Sequence, residues 1–412
     1  MRIALVISVA LFLAVPALAL DRINLLFIGQ VLSQTCPLPF WFESEPAARY
    51  TIVPTKSHGS MGYEEARRQI RLYFPRTRAS TWEYDFFMFI DPYFDPFTAS
   101  QIDFMYSAIV EGKSGGFQTL GGMTVDSSEP AYAWLQSALA PIFPNDPTAV
   151  ELWRQGASKI GAYNVILEKS ADLAPVLTPF LQVGIEEIPG YWYIVPIAPQ
   201  EGATIWARAV GAFPALSGPP FPWLLSWQVG GGMTWSVADD LDCPWWSDIY
   251  HPSKQEYGLD ILMNIVLHSL GRPLPEDVIV VNAVRRDFRA YDERASIINA
   301  FIDFVEKFGA SSNHITSEKL AADAMMERAM ESYMEGRYAE ALETAQEAHS
   351  ALMELERKTI RLKDQALIWV YVTEWAAVSA TGMLAGYSIF TLMFRRRLYR
   401  QVEVTRLGSG IN

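Results

Sequence analysis

An apolar segment near the carboxyl end places the strongest constraint on how this chain can fold. From Leu367 to Phe394 the sequence has one charged residue, Glu374, and the basic segment 395–400, RRRLYR, follows directly. About 20 apolar residues in a helix cross the hydrocarbon core of a bilayer, and positive residues stay on its cytoplasmic side. We therefore predict a transmembrane helix at 366–394 and a cytoplasmic tail at 395–412. A buried core helix is the alternative, which the consecutive arginines disfavour.

The amino-terminal segment has the organisation of a secretory signal peptide. Residues 1–2, MR, precede the apolar run 3–15, and the small-residue sequence ALA follows at 17–19. A basic start, an apolar centre and a small-x-small cleavage site are the parts of such a peptide. We predict that 1–19 is removed, which gives a single-pass type I protein of the cell membrane with its large domain outside. A buried amino-terminal strand is the alternative.

Composition argues against an intrinsically disordered chain and against a nucleic-acid-binding protein. Half of the 412 residues are hydrophobic and 13% are aromatic, so the chain has enough apolar material to fold. The formal net charge is −13, and no basic, aromatic-interleaved patch suggests a nucleic-acid surface.

Apolar runs and helical segments alternate in the first part of the chain. The runs 23–28, INLLFI, and 84–90, YDFFMFI, are typical of strands buried on both faces, and the glycine-bounded stretch 112–122, GKSGGFQTLGG, predicts a short third strand. Helical spacing is found at 63–74 and at 98–111, where Thr98 can cap the helix and Gly112 can end it. This alternation predicts βαβ units, and hence an α/β domain at 20–285 with a mostly parallel sheet flanked by helices.

These motifs resemble a known family. The sequences YDFFMFIDP, TASQ, EGKSGGFQTLGG and VGGGMTWSVADDLDCPWW are similar, in this order, to segments of the class I glutamine amidotransferase-like family. The resemblance covers 23–270 and implies a flavodoxin-like fold with any site at the carboxyl ends of the strands. Active members carry a thiol at a strand-to-helix turn, where this chain has Leu120 and Gly121. We therefore expect no glutaminase activity and no catalytic residue at that turn.

Several acidic and aromatic residues follow the predicted strands. Paired carboxylates can act as acid and base or bind a ligand, whereas the alternative for acidic loop residues is a solvated or capping role. No histidine or cysteine spacing suggests a transition-metal site, and we expect no metal and no cofactor. The candidate ligand-binding residues are Asp91, Asp95, Thr119, Asp239, Asp240, Trp245 and Trp246.

The sequence contains two cysteines, Cys36 and Cys243. Each follows a predicted strand, and loops after parallel strands emerge at the same edge of a sheet. Thiols outside the cell tend to oxidise in pairs. We therefore predict a Cys36–Cys243 disulfide, with two unrelated buried thiols as the alternative.

A helical stalk is expected at 286–365. The sequence predicts helices at 293–308, 317–335 and from 337 onward, the last continuing without glycine or proline into the predicted span. The hairpin around Gly336 resembles one tetratricopeptide-like unit, and stalk and span together resemble archaeal membrane-anchored surface proteins. Within the span, Gly382 and Gly386 form a small-xxx-small pair that would allow helices to associate as a homodimer.

Together these features favour a binding module over an enzyme. The sequence predicts an extracytoplasmic domain that lacks the catalytic nucleophile and binds a ligand, a surface glycan or a protein partner. The alternative function is hydrolysis of surface glycan or peptide through the acidic loop Asp239–Asp248.

Overall fold

The chain contains two compact units. The first comprises the described residues up to Arg289 together with Glu327–Ala345, and the second comprises Ala290–Met326 and the described residues from Gln346 onward. The predicted signal peptide, 1–19, lies outside the described residues. The computed structural model describes residues 21–32, 38–55, 61–120, 134, 136–146, 159–168, 176–195, 197–211, 220–239, 241, 257–307 and 312–407.

Strands of the first unit form one nine-stranded sheet in the described residues, in the order β2-β1-β3-β4-β9-β8-β7-β5-β6. They are β1 Ile23–Gly29, β2 Ala48–Pro54, β3 Phe86–Ile90, β4 Gly115–Thr119, β5 Lys159–Leu167, β6 Glu187–Ile194, β7 Thr204–Gly211, β8 Phe221–Val229 and β9 Gly232–Val237.

The sheet is mixed, so the prediction of a mostly parallel sheet was wrong. Strands β2, β1, β3, β4 and β9 pair in parallel. The pairs from β9 through β8, β7 and β5 to β6 are all antiparallel. Strands β6 and β7 are consecutive in the chain, yet β5 lies between them in the sheet.

A glycine turn causes the change of direction between β8 and β9. Gly230 has φ 54°, and the Gly231 N–H donates to the Val110 carbonyl at 2.9 Å. A Cβ on Gly231 would lie 2.0 Å from the Gly112 carbonyl oxygen, so the close approach requires glycine. Because so short a turn returns the chain beside itself, β8 and β9 pair as an antiparallel hairpin.

Helices follow the strands of the parallel half of the sheet. The last three helices also contribute residues to the second unit. Those described are α1 Leu38–Trp41, α2 Tyr63–Tyr73, α3 Arg78–Thr81, α4 Ala99–Val110, α5 Thr178–Gln182, α6 Gly258–Ser269, α7 Val278–Lys307, α8 Asn313–Met334 and α9 Tyr338–Leu407.

Helix α4 begins where the sequence predicts. Thr98 forms a capping box with Gln101: its hydroxyl accepts from the Gln101 N–H at 3.3 Å, and the Gln101 side chain accepts from the Thr98 N–H at 3.0 Å. Met105 and Ile109 are fully buried. The helix therefore packs against one face of the sheet. The carboxyl ends of the strands lie at an edge of the sheet and not on this face.

A buried ionic cluster lies within the first unit, and the sequence analysis missed it. The Arg285 guanidinium on α7 donates to Glu45 Oε2 and to Asp260 Oδ1 on α6, each at 2.5 Å. The Tyr333 hydroxyl donates to the same Glu45 oxygen at 2.8 Å, and the Asn282 amide donates to Asp260 at 2.8 Å. The side chains in both ion pairs are at most 4% exposed.

Burial and the neighbouring charges shift the pKa values of Asp260 and Arg285 in opposite directions. Burial raises the pKa of Asp260, although the Arg285 guanidinium lowers it in part. Burial alone would lower the pKa of Arg285, but Glu45, Tyr333 and Asp260 hold it well above its ordinary value. The cluster therefore connects α6, α7 and the end of α8 to the segment before β2 through charges that depend on one another.

The α8–α9 turn has the predicted hairpin form. Gly336 adopts φ 76°, a left-handed conformation that suits glycine at a helix end. The Tyr333 and Tyr338 rings meet edge to face at 5.2 Å, and Ala341 and Ala345 are fully buried. Small and aromatic residues thus pack the turn as expected, while the tetratricopeptide resemblance stays a prediction.

Helix α9 is one helix of 70 residues, and its part from Gln346 onward belongs to the second unit. Ion pairs join Arg294 of α7 to Glu356 and Lys358 to Glu318 of α8. Farther along, α9 is long and apolar enough to cross a membrane, and its most apolar section is not buried in the protein. The predicted start of the stalk helix at Glu293 was late, because α7 begins at Val278.

Candidate functional site

The carboxyl edge of the parallel strands forms the candidate site. Strands β1, β3, β4 and β9 end there at Gly29, Ile90, Thr119 and Val237. The Gln30 N–H donates to the Ile90 carbonyl at 2.7 Å, which joins the first loop to the next strand. Residues that follow these strands are therefore held side by side along one edge, as in other open α/β sheets.

Asp91 and Thr119 meet at this edge. The Asp91 N–H donates to the Thr119 hydroxyl oxygen at 2.9 Å, across the neighbouring strands β3 and β4. Asp91 is 4% exposed and Thr119 is fully buried. The Thr119 hydroxyl therefore fixes the backbone that carries the Asp91 carboxyl group.

Asp239 lies on the other side of Thr119. The Leu120 N–H donates to the carbonyls of Val237 and Asp239 at 3.1 and 3.2 Å. The Asp239 side chain accepts from the Leu241 N–H at 2.7 Å, and Asp239 is fully buried. The hydrogen bonds thus run from Asp91 through residues 119 and 120 to Asp239, so the sheet brings together three of the predicted residues.

Two residues at this edge have a strained, left-handed backbone conformation. Asp91 and Leu241 are the non-glycine residues with positive φ in the described chain, at 46° and 50°. A left-handed conformation costs a non-glycine residue about 1–3 kcal/mol and persists only where its surroundings fix it. Aspartate tolerates it better than a bulky residue such as leucine. Strain of this kind clusters at binding and catalytic sites, which supports the choice of this edge.

A buried polar cluster lies one residue below the edge. The Gln118 amide donates to the Ser236 hydroxyl at 2.7 Å and to the Asn145 side chain, and the Ser236 hydroxyl donates to Asn145 at 2.8 Å. All three residues are buried. Within the described chain, Gln118 Oε1 accepts no hydrogen bond. A buried acceptor of this kind suits a donor from water or a ligand.

The remaining candidates do not join this group. Asp95 is exposed, four residues after Asp91, as expected for a solvated loop residue. The prediction that it contributes to the site is therefore not supported by its position. Five further candidates lie outside the described residues: Asp240, Trp245, Trp246, Cys36 and Cys243.

Sequence reasoning missed the residues that surround the aspartates. Gln118 and Ser236 are polar residues inside otherwise apolar buried strands, and this signal alone identifies them as unusual. Leu120 and Leu241 act through backbone N–H groups. No property of a leucine side chain predicts such a role.

The polar groups at this edge are held in place by backbone hydrogen bonds. The Thr119 hydroxyl accepts a backbone hydrogen bond, and Leu120 stands at the strand end. In the described part of the chain, no group of three or more His, Cys, Asp or Glu residues is arranged to hold a metal ion. What the edge offers is buried carboxylates on a fixed backbone, which can accept hydrogen bonds from a ligand or a cationic group.

An apolar cavity elsewhere in this unit is too small for a substrate. It measures about 30 Å³ and lies between Phe117 and Val237 of the sheet and Ile265 of α6. This is room for about one or two water-sized molecules, and an apolar cavity of this size stays dry. This cavity therefore offers no space for a substrate.

The sequence matches no protein-family model and no curated protein. Among solved structures, one similar chain is a cytoplasmic protein from Salmonella typhimurium LT2. It is 14% identical, with a TM-score of 0.43, and the match covers 60% of this chain and 99% of that chain.

Proposed function

We propose that this protein is a membrane-anchored, extracytoplasmic domain that binds a ligand or a protein partner and has no catalytic nucleophile. The observation that carries the proposal is the meeting of Asp91, Thr119 and Asp239 at the carboxyl edge of four parallel strands. Open α/β sheets bind ligands at this edge.

The order of the parallel strands fits the flavodoxin-like arrangement that the resemblance implies. The parallel strands have the order β2-β1-β3-β4-β9, which corresponds to the 2-1-3-4-5 order of flavodoxin-like sheets. Leu120 follows β4 where the family resemblance would require a thiol. A leucine side chain cannot attack a carbonyl, so binding without glutaminase chemistry fits this turn.

The long helix α9 supports the membrane anchor. Its apolar section has side chains that extend away from the protein, and four arginines follow within 395–400. Hydrocarbon would cover this section, and the arginines favour a cytoplasmic tail. The proposed orientation puts the candidate site outside the cell, at its surface.

One observation keeps hydrolysis as a second candidate function. Asp91 and Asp239 are both buried at the edge, whereas solvated loop carboxylates would be exposed. Two carboxyl groups in such surroundings can divide the roles of acid and base. The rest of the acidic loop, 242–248, lies outside the described residues together with Asp240.

A ligand screen with matched aspartate variants tests the proposal. The full-length protein in detergent micelles is incubated with panels of sugars, amino acids and short peptides, and thermal stabilisation is measured. We expect a stabilising compound whose effect is lost in Asp91→Asn and kept in Asp95→Asn, because Asp95 is exposed on the same loop. If Asp91→Asn and Asp95→Asn change ligand binding equally, the carboxyl edge is not the binding site.

The same samples separate binding from hydrolysis. Each stabilising compound is incubated with the protein and analysed by mass spectrometry. Recovery of intact compound supports the binding module, whereas cleavage that disappears in Asp239→Asn supports the hydrolase. Protease added to sealed cells tests the orientation: we expect removal of the region before Leu367 and protection of a tag after Asn412.

A further inference from the structure

One face of α9 carries apolar side chains directly before guanidinium groups. A groove along the helix is lined by Phe390, Met393, Phe394, Arg396, Arg397 and Arg400, which we call the phospholipid face. We propose that this face binds one anionic phospholipid, with the phosphate at the arginines and an acyl chain along the aromatic rings. The proposal rests on the membrane span of the proposed function and adds a specific lipid partner.

Helical spacing places these residues together. A helix advances about 100° per residue, so positions three, four and seven apart share one side. Met393, Arg397 and Arg400 have this spacing, and Phe390 and Phe394 extend the same side toward the apolar section. Arg395 falls on the opposite side of the helix, although it lies at almost the same depth.

The apolar part of the face is shaped for an acyl chain. The Phe390 and Phe394 rings stack with centroids 6.4 Å apart. Their side chains are 65% and 57% exposed, and Met393 is 67% exposed. In a membrane these surfaces would meet hydrocarbon, at the end of the span where the chain reaches the headgroups.

Two of the three arginines of the face, Arg396 and Arg397, are distant from acidic residues along the helix, whereas Glu403 lies three positions after Arg400. Along the sequence, the acidic residues nearest to the arginines are Glu374 and Glu403, so Arg396 and Arg397 have none within five positions. All the arginines in this segment are exposed. An arginine fork binds a phosphate through two parallel hydrogen bonds, which a lysine cannot do. Charge complementarity therefore favours an anionic phospholipid over a zwitterionic one.

Native mass spectrometry of the full-length protein in detergent micelles tests the proposal. Dioleoyl phosphatidylglycerol is titrated against dioleoyl phosphatidylcholine. We expect one phosphatidylglycerol to bind more tightly than phosphatidylcholine, and Arg397→Gln to weaken it about fivefold, the effect of one arginine near a membrane surface. Arg395→Gln is the matched control because it removes the same charge from the opposite side, and it should leave the first lipid bound.

Two results would overturn the proposal. Equal weakening by Arg395→Gln and Arg397→Gln would mean that charge acts without a defined face, and equal affinities for the two lipids would mean that no headgroup is recognised. Phe390→Ala tests the acyl contact, since it should weaken the dioleoyl lipid and spare a dihexanoyl analogue. If Phe390→Ala weakens binding of both the dioleoyl and the dihexanoyl lipid, the proposed contact with the acyl chain is refuted.

Reconstitution distinguishes this result from failure of the membrane anchor. If the protein does not incorporate into lipid nanodiscs, the span itself is wrong. If it incorporates and shows no preference for phosphatidylglycerol, the span stands and only the phospholipid face is refuted.

Discussion

Replacing Arg285 by methionine would separate the buried charges of the first unit from their cation. Arg285 donates to Glu45 and Asp260 at 2.5 Å each, and its guanidinium lies over the Tyr333 ring at 5.9 Å. Methionine fills much of the same space without hydrogen-bond donors. The substitution therefore leaves two carboxyl groups that are at most 3% exposed beside an apolar side chain.

We expect this substitution to lower the free energy of unfolding by about 3–5 kcal/mol, the usual cost of removing one partner from a buried ion pair. Part of the cost can be avoided by protonation, because burial already raises the pKa of Asp260. Each unit of further pKa shift costs about 1.4 kcal/mol. The triple variant Arg285→Met, Glu45→Gln and Asp260→Asn removes all three charges, so its loss should be smaller.

Hydrogen exchange gives the local measurement, and urea unfolding of the full-length protein in micelles gives the overall one. The Ala47 N–H donates to Glu45 Oε1 at 2.9 Å, so this amide should exchange faster in Arg285→Met. The matched control is Arg67→Met on the exposed side of α2, which should change stability by less than about 0.5 kcal/mol.

Two outcomes would refute the reasoning. If Arg285→Met lies within about 1 kcal/mol of the unaltered protein, the buried pairs contribute little. If the triple variant is as unstable as the single one, the loss comes from packing of the arginine stem and not from uncompensated charge.

Three further predictions follow from individual residues. Burial raises the pKa of Asp260 above 3.8, so its contribution to stability is full below pH 3.8 and is lost as pH rises through the folded-state pKa; Asp260→Asn should remove this slope from urea titrations. Gly29→Ala should cost about 2 kcal/mol or more, read from the urea midpoint, because φ is 125° and a Cβ would lie 1.8 Å from the Ile90 carbonyl oxygen. Leu384→Arg should add about 2.5–3.5 kcal/mol to insertion of the span, measured by glycosylation mapping in microsomes, and unchanged insertion would argue against a transmembrane α9.

Strands with continuous apolar sequence were predictable, whereas β2 and β5, which mix polar and apolar residues, were not. INLLFI and FFMFI identify β1 and β3 because both faces of these strands are buried. Strand β2, ARYTIVP, lies at the edge of the sheet and is only partly buried, so its pattern is weak. Strand β5, KIGAYNVIL, contains glycine and asparagine, which are rare in strands.

The candidate site was predictable in its location and not in its construction. The rule that ligands meet the carboxyl ends of parallel strands places Asp91 and Asp239 at one edge. The left-handed backbone at Asp91 and Leu241 and the hydrogen bonds around the two aspartates depend on tertiary packing. The partners Glu45 and Arg285 are 240 residues apart, and no local pattern links them.

The position of β9 between β4 and β8 has a consequence for the order of folding. On one side β9 pairs with its sequence neighbour across a glycine turn, and hairpins of this kind form in about 1–10 μs. On the other side it pairs with β4, where Gln118 and Ser236 are 118 residues apart. Closing so long a loop carries a larger entropy cost, which slows pairing between distant strands. We infer that the antiparallel half assembles first and that the contact between β4 and β9, which completes the candidate site, forms late.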